Sequence, residues 1–174
     1  MVIQQPAEVR LQDADREEAG EFQAAFERTS RSAFLLARHM GRTTEEAKDI
    51  VQEAALRGWR YRGGRTGKFR PWFLTIVYRL CRRPPLAWLP LPASWERAVP
   101  DGIDSELDPD LIAALKGLPA RQRAAVWLRY CEDLSISEVA RVMRCSEPAV
   151  KQLTFRGCDA IRLRLTGEPA VKAR

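Results

Sequence analysis

Apolar residues recur at helical, not alternating, intervals through most of this chain. Phe22, Phe26, Ala33 and Ala37 keep to one helical face, and Gly41 marks a stop. Thr43-Thr44-Glu45-Glu46 reads as a capping box, with Thr43 as N-cap and Glu46 reaching back. It opens a helix over about 44–61, on which Ala47, Ile50, Val51, Ala54 and Gly58 form one stripe. Lys48, Asp49, Gln52, Glu53 and Arg57 form the opposite one. Beyond the glycine-rich stretch 63–67, Phe69 to Arg83 predicts a third helix, with Pro71 in its first turn and Pro84 ending it. Pro119 starts a helix running through Val126, Trp127 and Tyr130, and Ser135-Ile136-Ser137-Glu138 is a second capping box, opening a short helix to about Met143. A tight turn at Arg144-Cys145 follows, then Ser146 as N-cap with Glu147 and Pro148 in the first turn of a last helix to about Leu165. That helix buries Val150, Leu153, Gly157 and Ile161, and short helix, turn and longer helix make a helix-turn-helix pattern.

No strand-like alternation and no repeat interrupts this, so the predicted class is all-α. Between Pro84 and Pro109 lie six prolines, which cannot belong to a continuous helix. The expected organisation is two small helical domains, 21–83 and 110–165, joined by a proline-rich linker over 84–109 that also carries Trp88 and Trp95. Residues 1–20 read as an acidic, frayed tail and 166–174 as a short C-terminal one. With Glu8, Asp13, Asp15, Glu17 and Glu18, the first twenty residues do not resemble a signal or transit peptide. No stretch is long and apolar enough to cross a bilayer.

Composition narrows the function. At 174 residues and 45% hydrophobic content the chain can build packed cores, and a net charge of +6 favours a polyanionic partner. The four cysteines are widely spaced and His39 is the single histidine, so thiols in a reducing cytoplasm are expected and neither a metal nor a cofactor site. His39, among Leu36, Ala37 and Met40, reads as a core or helix-surface residue. No catalytic triad or metal set is present in the pattern, which argues against an enzyme.

Two constellations point to nucleic acid. From Arg57 to Arg83 there are nine basic residues and no acid, interleaved with Trp59, Tyr61, Phe69, Trp72, Phe73 and Tyr78. Phosphates call for cations without neighbouring carboxylates, and unpaired bases for flat apolar faces. Phe73 belongs to the core under any reading. On the last helix Lys151, Gln152, Phe155, Arg156 and Asp159 face outward, and cations, an amide and an aromatic suit phosphates and base edges. A third group, Asp49, Gln52, Glu53 and Arg57, shares the polar face of the helix over 44–61 and means little by itself.

Glu45-Glu46-Ala47-Lys48-Asp49-Ile50-Val51-Gln52-Glu53-Ala54-Ala55-Leu56-Arg57-Gly58-Trp59 resembles region 2.2 of extracytoplasmic-function (ECF) sigma factors, of the sigma-70 family. Phe69-Arg70-Pro71-Trp72-Phe73-Leu74-Thr75-Ile76-Val77 is similar to the start of their regions 2.3 and 2.4, and Leu118 to Arg156 to their region 4, with its Ser-x-x-Glu-x-Ala motif at Ser135 to Ala140. The resemblance implies a sigma region 2-like bundle and a region 4-like helix-turn-helix. Asp49, Ile50, Gln52 and Glu53 would dock on the clamp helices of the largest subunit of core RNA polymerase. Arg62, Arg65, Lys68, Phe69, Trp72 and Arg79 would melt and hold the −10 promoter element. Ser146, Lys151, Gln152, Phe155 and Arg156 would read the −35 element, with the flap of the second-largest subunit as a further contact and an anti-sigma factor as regulator. The sequence departs from the family at Arg79, where Asn is frequent, at Pro84-Pro85, which cuts the following helix short, and at Arg144, where glycine is frequent. Two other readings compete: a stand-alone helix-turn-helix regulator, which leaves the basic-aromatic run unexplained, and an enzyme with a DNA-binding appendix.

Overall fold

The computed structural model describes residues 7–82 and 108–167, with side chains from residue 16 onward. It is all-helical, with no strand among the described residues. Helix α1 runs Ala7–His39, α2 Thr44–Arg60 and α3 Phe69–Cys81, with a 3-10 turn at Arg62–Gly64 between the last two. In the second half α4 is Pro109–Lys116 and α5 is Ala120–Val126, which runs into a π-helical turn at Trp127–Cys131. Helices α6, Ile136–Met143, and α7, Glu147–Thr166, complete the chain. The segment with Trp88 and Trp95, like Arg83 and Pro84, lies outside the described residues.

Local chemistry explains most boundaries. Gly41 ends the α1 region at φ +90°, a left-handed conformation open to glycine without a Cβ penalty. Both capping boxes form: the Thr43 hydroxyl accepts from the Glu46 amide while the Glu46 carboxylate accepts from the Thr43 amide, and Ser135 and Glu138 repeat the exchange. These backbone hydrogen bonds hold both glutamates below the ordinary carboxylate pKa.

Two boundaries differ from expectation. Helix α1 begins at Ala7, so most of the segment expected to be a frayed tail is helical. Its Ala, Glu, Gln and Arg content carries helix propensity with little apolar periodicity, and periodicity alone places the start at residue 21. The helix expected through Tyr130 widens into a π-turn at Trp127, whose side chain is buried.

Helices α1, α2 and α3 pack on one another around Phe26, Leu36, Val51, Phe73 and Val77, and α7 crosses α5, α4 and α6. Gly157 lets α7 approach α5 closely, since a Cβ there would lie 2.6 Å from Val126 Cγ2. The two modules then share a core. Helix α3 packs on α6, and the cluster with Phe26 and Phe73 continues through Trp127, Leu128, Val139, Val142 and Met143. Polar contacts follow the seam: the His39 ring lies on Trp127 with centroids 3.9 Å apart, Arg123 Nε donates to the His39 carbonyl, and Arg70 pairs with Glu132.

Burial, and then the positive charges of Arg123, Arg38 and Lys116, push the His39 imidazole down from 6.5 to about 4. The folded chain therefore refuses a proton that the unfolded chain accepts. Stability from this group is complete above pH 6.5 and drains away as the pH falls from 6.5 to about 4, by no more than about 3 kcal/mol. Urea unfolding of the wild type and His39→Gln at a series of pH values checks this. The difference between the two is expected to shift in favour of the variant on acidification, and a pH-independent difference would remove the assignment.

Candidate nucleic-acid interface

The second helix of the helix-turn-helix is set by its turn and its first residue. Arg144 takes φ +53°, ψ +54°, so a side chain sits where glycine is favoured, and the Ser146 hydroxyl accepts from the Ala149 amide. From that start Lys151, Gln152, Phe155 and Arg156 all project into solvent, the Phe155 ring 66% exposed. Val150 and Gly157 are buried on the opposite side, and Leu153 and Ile161 are half-buried with them. The five residues expected at a duplex therefore share one continuous surface, at the N-cap and along the first three turns of α7.

The loop after α2 is more structured than glycine content suggests. The Arg62 guanidinium lies 3.7 Å from the Trp59 ring centroid, donates to the Trp59 carbonyl at 3.0 Å, and pairs with Glu18 of α1 at 2.9 Å. Arg65 stands 6.0 Å over Phe69 and donates to the Gly67 carbonyl. Phe69 joins an aromatic cluster, edge-on to Phe22 at 5.3 Å and stacked with Phe73 at 5.4 Å, with Trp72 at 5.6 Å. Phe69 and Trp72 are thus half-buried walls, while Phe73 and Tyr78 are core. Lys68 and Arg79 are exposed at opposite ends of α3, about 16 Å apart along its axis. The structure gathers Arg62, Arg65, Lys68, Phe69 and Trp72, and leaves Arg79 away from them.

The basic run is partly compensated, contrary to the expectation from local sequence. Arg57 pairs with Glu53 at 2.5 Å, Arg62 with Glu18, and Arg70 with Glu132. The first acid lies just upstream of the run and the other two come from distant segments, which a search for acids within the run cannot find. On α2, Asp49 is exposed, Gln52 and Glu53 are half-buried, and Ile50 leans partly into the core. All four cysteines are free thiols, and burial pushes Cys81 up to about 12. Among the described residues no group of His, Cys, Asp or Glu could hold a metal, and no helix is long and apolar enough to cross a membrane.

A helical bundle with a basic-aromatic loop is joined in one chain to a helix-turn-helix, a helical protein of two modules. Residues 25–84 match the model of sigma-70 region 2 and residues 109–161 that of sigma-70 region 4. The chain belongs to the sigma-70 family. Among its curated relatives, the ECF RNA polymerase sigma factor SigG of Mycobacterium tuberculosis is 30% identical over 80% of this chain. The chain spans about half of SigG, 47% of its length. The ECF RNA polymerase sigma factor SigL of the same species is 26% identical, covering 90% of this chain and 95% of SigL. The sigma factor RpoE from Bartonella quintana, solved in complex with the anti-sigma factor NepR, shares the fold with a TM-score of 0.62 over 86% of this chain and 97% of its own, at 18% identity.

The left-handed Arg144 gives the turn its own test. Arg144→Gly removes the Cβ penalty against some added unfolded-state entropy and is expected to stabilise the chain by about 0.5–1 kcal/mol. Thermal unfolding followed by circular dichroism reads this as a rise in Tm; a fall would mean that the Arg144 side chain contributes more than its backbone costs.

Proposed function

We propose that this protein is a dissociable, non-catalytic subunit of RNA polymerase, an ECF-type sigma factor that directs initiation to promoters by recognising −10 and −35 elements. The observation that carries the reading is the exposed row Lys151, Gln152, Phe155 and Arg156 on a helix fixed by Ser146, in the same chain as the loop from Arg62 to Trp72. An exposed phenylalanine between cations is costly in water and suits a thymine methyl in the major groove. The loop offers cations on aromatic walls, which suits separated strands better than a duplex.

In this reading Asp49, Ile50, Gln52 and Glu53 dock on the clamp helices of the largest subunit, and region 4 meets the flap of the second-largest. The chain works in the cytoplasm and an anti-sigma factor restrains it. The domains run 21–83 and 110–165, with α1 extending the first. Arg79, distant from the loop, contacts upstream duplex more readily than the opened strand.

Pull-down with core polymerase, followed by promoter-dependent run-off transcription, tests the reading against a stand-alone regulator, which would bind duplex tightly without polymerase. Reversing Asp49 and Glu53 to lysine is expected to abolish polymerase binding, and unchanged affinity would remove that docking face. Arg156→Ala is expected to reduce −35-dependent transcription by about tenfold, the value of one good base-edge or phosphate contact. Equal loss on promoters with and without that element would count against the recognition face.

A further inference from the structure

The turn before α7 carries a cost that its own contacts do not explain. Arg144 stands at φ +53°, ψ +54°, where a Cβ is penalised and glycine is not. Two backbone hydrogen bonds close the turn. The Arg144 amide donates to the Arg141 carbonyl at 3.4 Å and the Cys145 amide to the Ala140 carbonyl at 3.0 Å. Glycine at 144 would make the same two bonds. The arginine side chain is exposed and, among the described residues, makes no hydrogen bond or ion pair that could offset the strain. Strained backbone of this kind persists where a function outside the turn uses the residue.

The surroundings show which function. Ser137, Arg141 and Arg144 follow at intervals of four and three, so they form one stripe along α6 into the turn, and all three are exposed. With Ala140, Cys145 and Glu147 they line an open groove of about 460 Å³ between α6 and the start of α7. Arg141 helps to hold the Glu138 carboxyl below its ordinary pKa, but that carboxylate is already taken by the amide and hydroxyl of Ser135. Glu147, the acid that lines the groove, comes from α7 and pairs with neither arginine. One turn beyond Glu147 on the same face stands Lys151, so the groove runs directly into the exposed row of α7. Two unpaired guanidinium groups therefore border the surface offered to base edges. Their planar forks match the two shared oxygens of a phosphodiester, and the backbone of a duplex flanks any helix lying in its major groove.

We propose that Arg144, with Arg141 beside it, grips the phosphate backbone of duplex DNA next to the bases met by α7, and that the strained turn is kept for the charge it presents. The inference rests on reading α7 as the helix that meets a duplex. It separates two tasks within one motif: the row from Lys151 to Arg156 touches base edges, while Arg144 adds affinity that is blind to sequence and steep in salt.

A fluorescein-labelled duplex of mixed sequence suits such a contact, and its binding to the free full-length chain is followed by anisotropy over a series of KCl concentrations. Arg144→Gly is expected to weaken binding about three- to tenfold at low salt and to lower the slope of log K against log salt by about 1. Arg144→Asn, which tolerates the left-handed turn without a charge, loses the same amount, and Arg144→Lys keeps most of the slope. Adding Arg141→Ala to Arg144→Gly lowers the slope by about 2 in all. Unfolding does not account for these losses, because Arg144→Gly raises Tm. Unchanged affinity and slope overturn the proposal. So does weaker binding at an unchanged slope, which assigns the effect to turn geometry, and so does lysine behaving like glycine. A wild type that binds no duplex at the lowest salt refutes it too, as does a loss confined to pull-down with core polymerase, which would give the arginines to a protein partner. Run-off transcription with the wild-type chain keeps this apart from the functional reading. Promoter-dependent activity with no slope change in Arg144→Gly sinks the backbone contact alone. An inactive wild type whose duplex binding still loses slope in that variant sinks promoter recognition and leaves the contact standing.

Discussion

A carboxylate in an apolar seam needs a cation, and at Glu132 the described cation is Arg70. Leaving such a charge buried and unpaired costs several kcal/mol, while keeping the pair gains little over well-packed hydrophobic residues. The pair is therefore a poor source of stability and a strong constraint on arrangement. It fixes which turn of α3 faces the π-turn, and the Trp127 indole that donates to the same carboxylate also stacks on His39 of α1. Three segments distant in sequence are aligned by one acidic group. The apolar contacts of Phe73, Leu128, Val139 and Met143 can then pack in a single register.

Elements whose ends carry their own hydrogen-bonding chemistry were legible from the residues. Thr43 with Glu46, Ser135 with Glu138, and Ser146 each declare a helix start without reference to anything distant, and the observed starts follow them. The exposed face of α7 was legible for a related reason, because a period of 3.6 fixes the outward side once the buried one is known. What escaped depends on partners far away in the chain. The onset of α1 has no cap signal and little apolar period; the π-turn has no signal in its local residues; and the pairings of Arg62 with Glu18 and Arg70 with Glu132 join residues 44 and 62 positions apart. A window of local sequence has no access to such contacts.

These pairings change how the charge of the first module is used. Arg62 is held on Trp59 by Glu18, so its guanidinium plane is oriented before any ligand arrives, and less side-chain entropy remains to be lost on binding. Arg57 is tied to Glu53 on α2, which couples the basic segment to the acidic face beside it. Lys68 keeps an exposed ammonium at the start of α3. The loop surface thus combines a few positioned cations with one exposed ammonium, and the remaining positive charge acts mainly at longer range, where salt weakens it.

The exposed face of α7 and the Arg70 side chain stand differently in the packed chain. Lys151, Gln152, Phe155 and Arg156 are exposed while the modules share a core, so a duplex can be met without disturbing the seam. Arg70 is engaged with Glu132 in that same state. Separating the modules would uncover apolar area on α3 and α6 together with the His39 and Trp127 rings, at a cost in hydrophobic burial. Binding of α2 to a large partner, which brings its own apolar surface, can offset it.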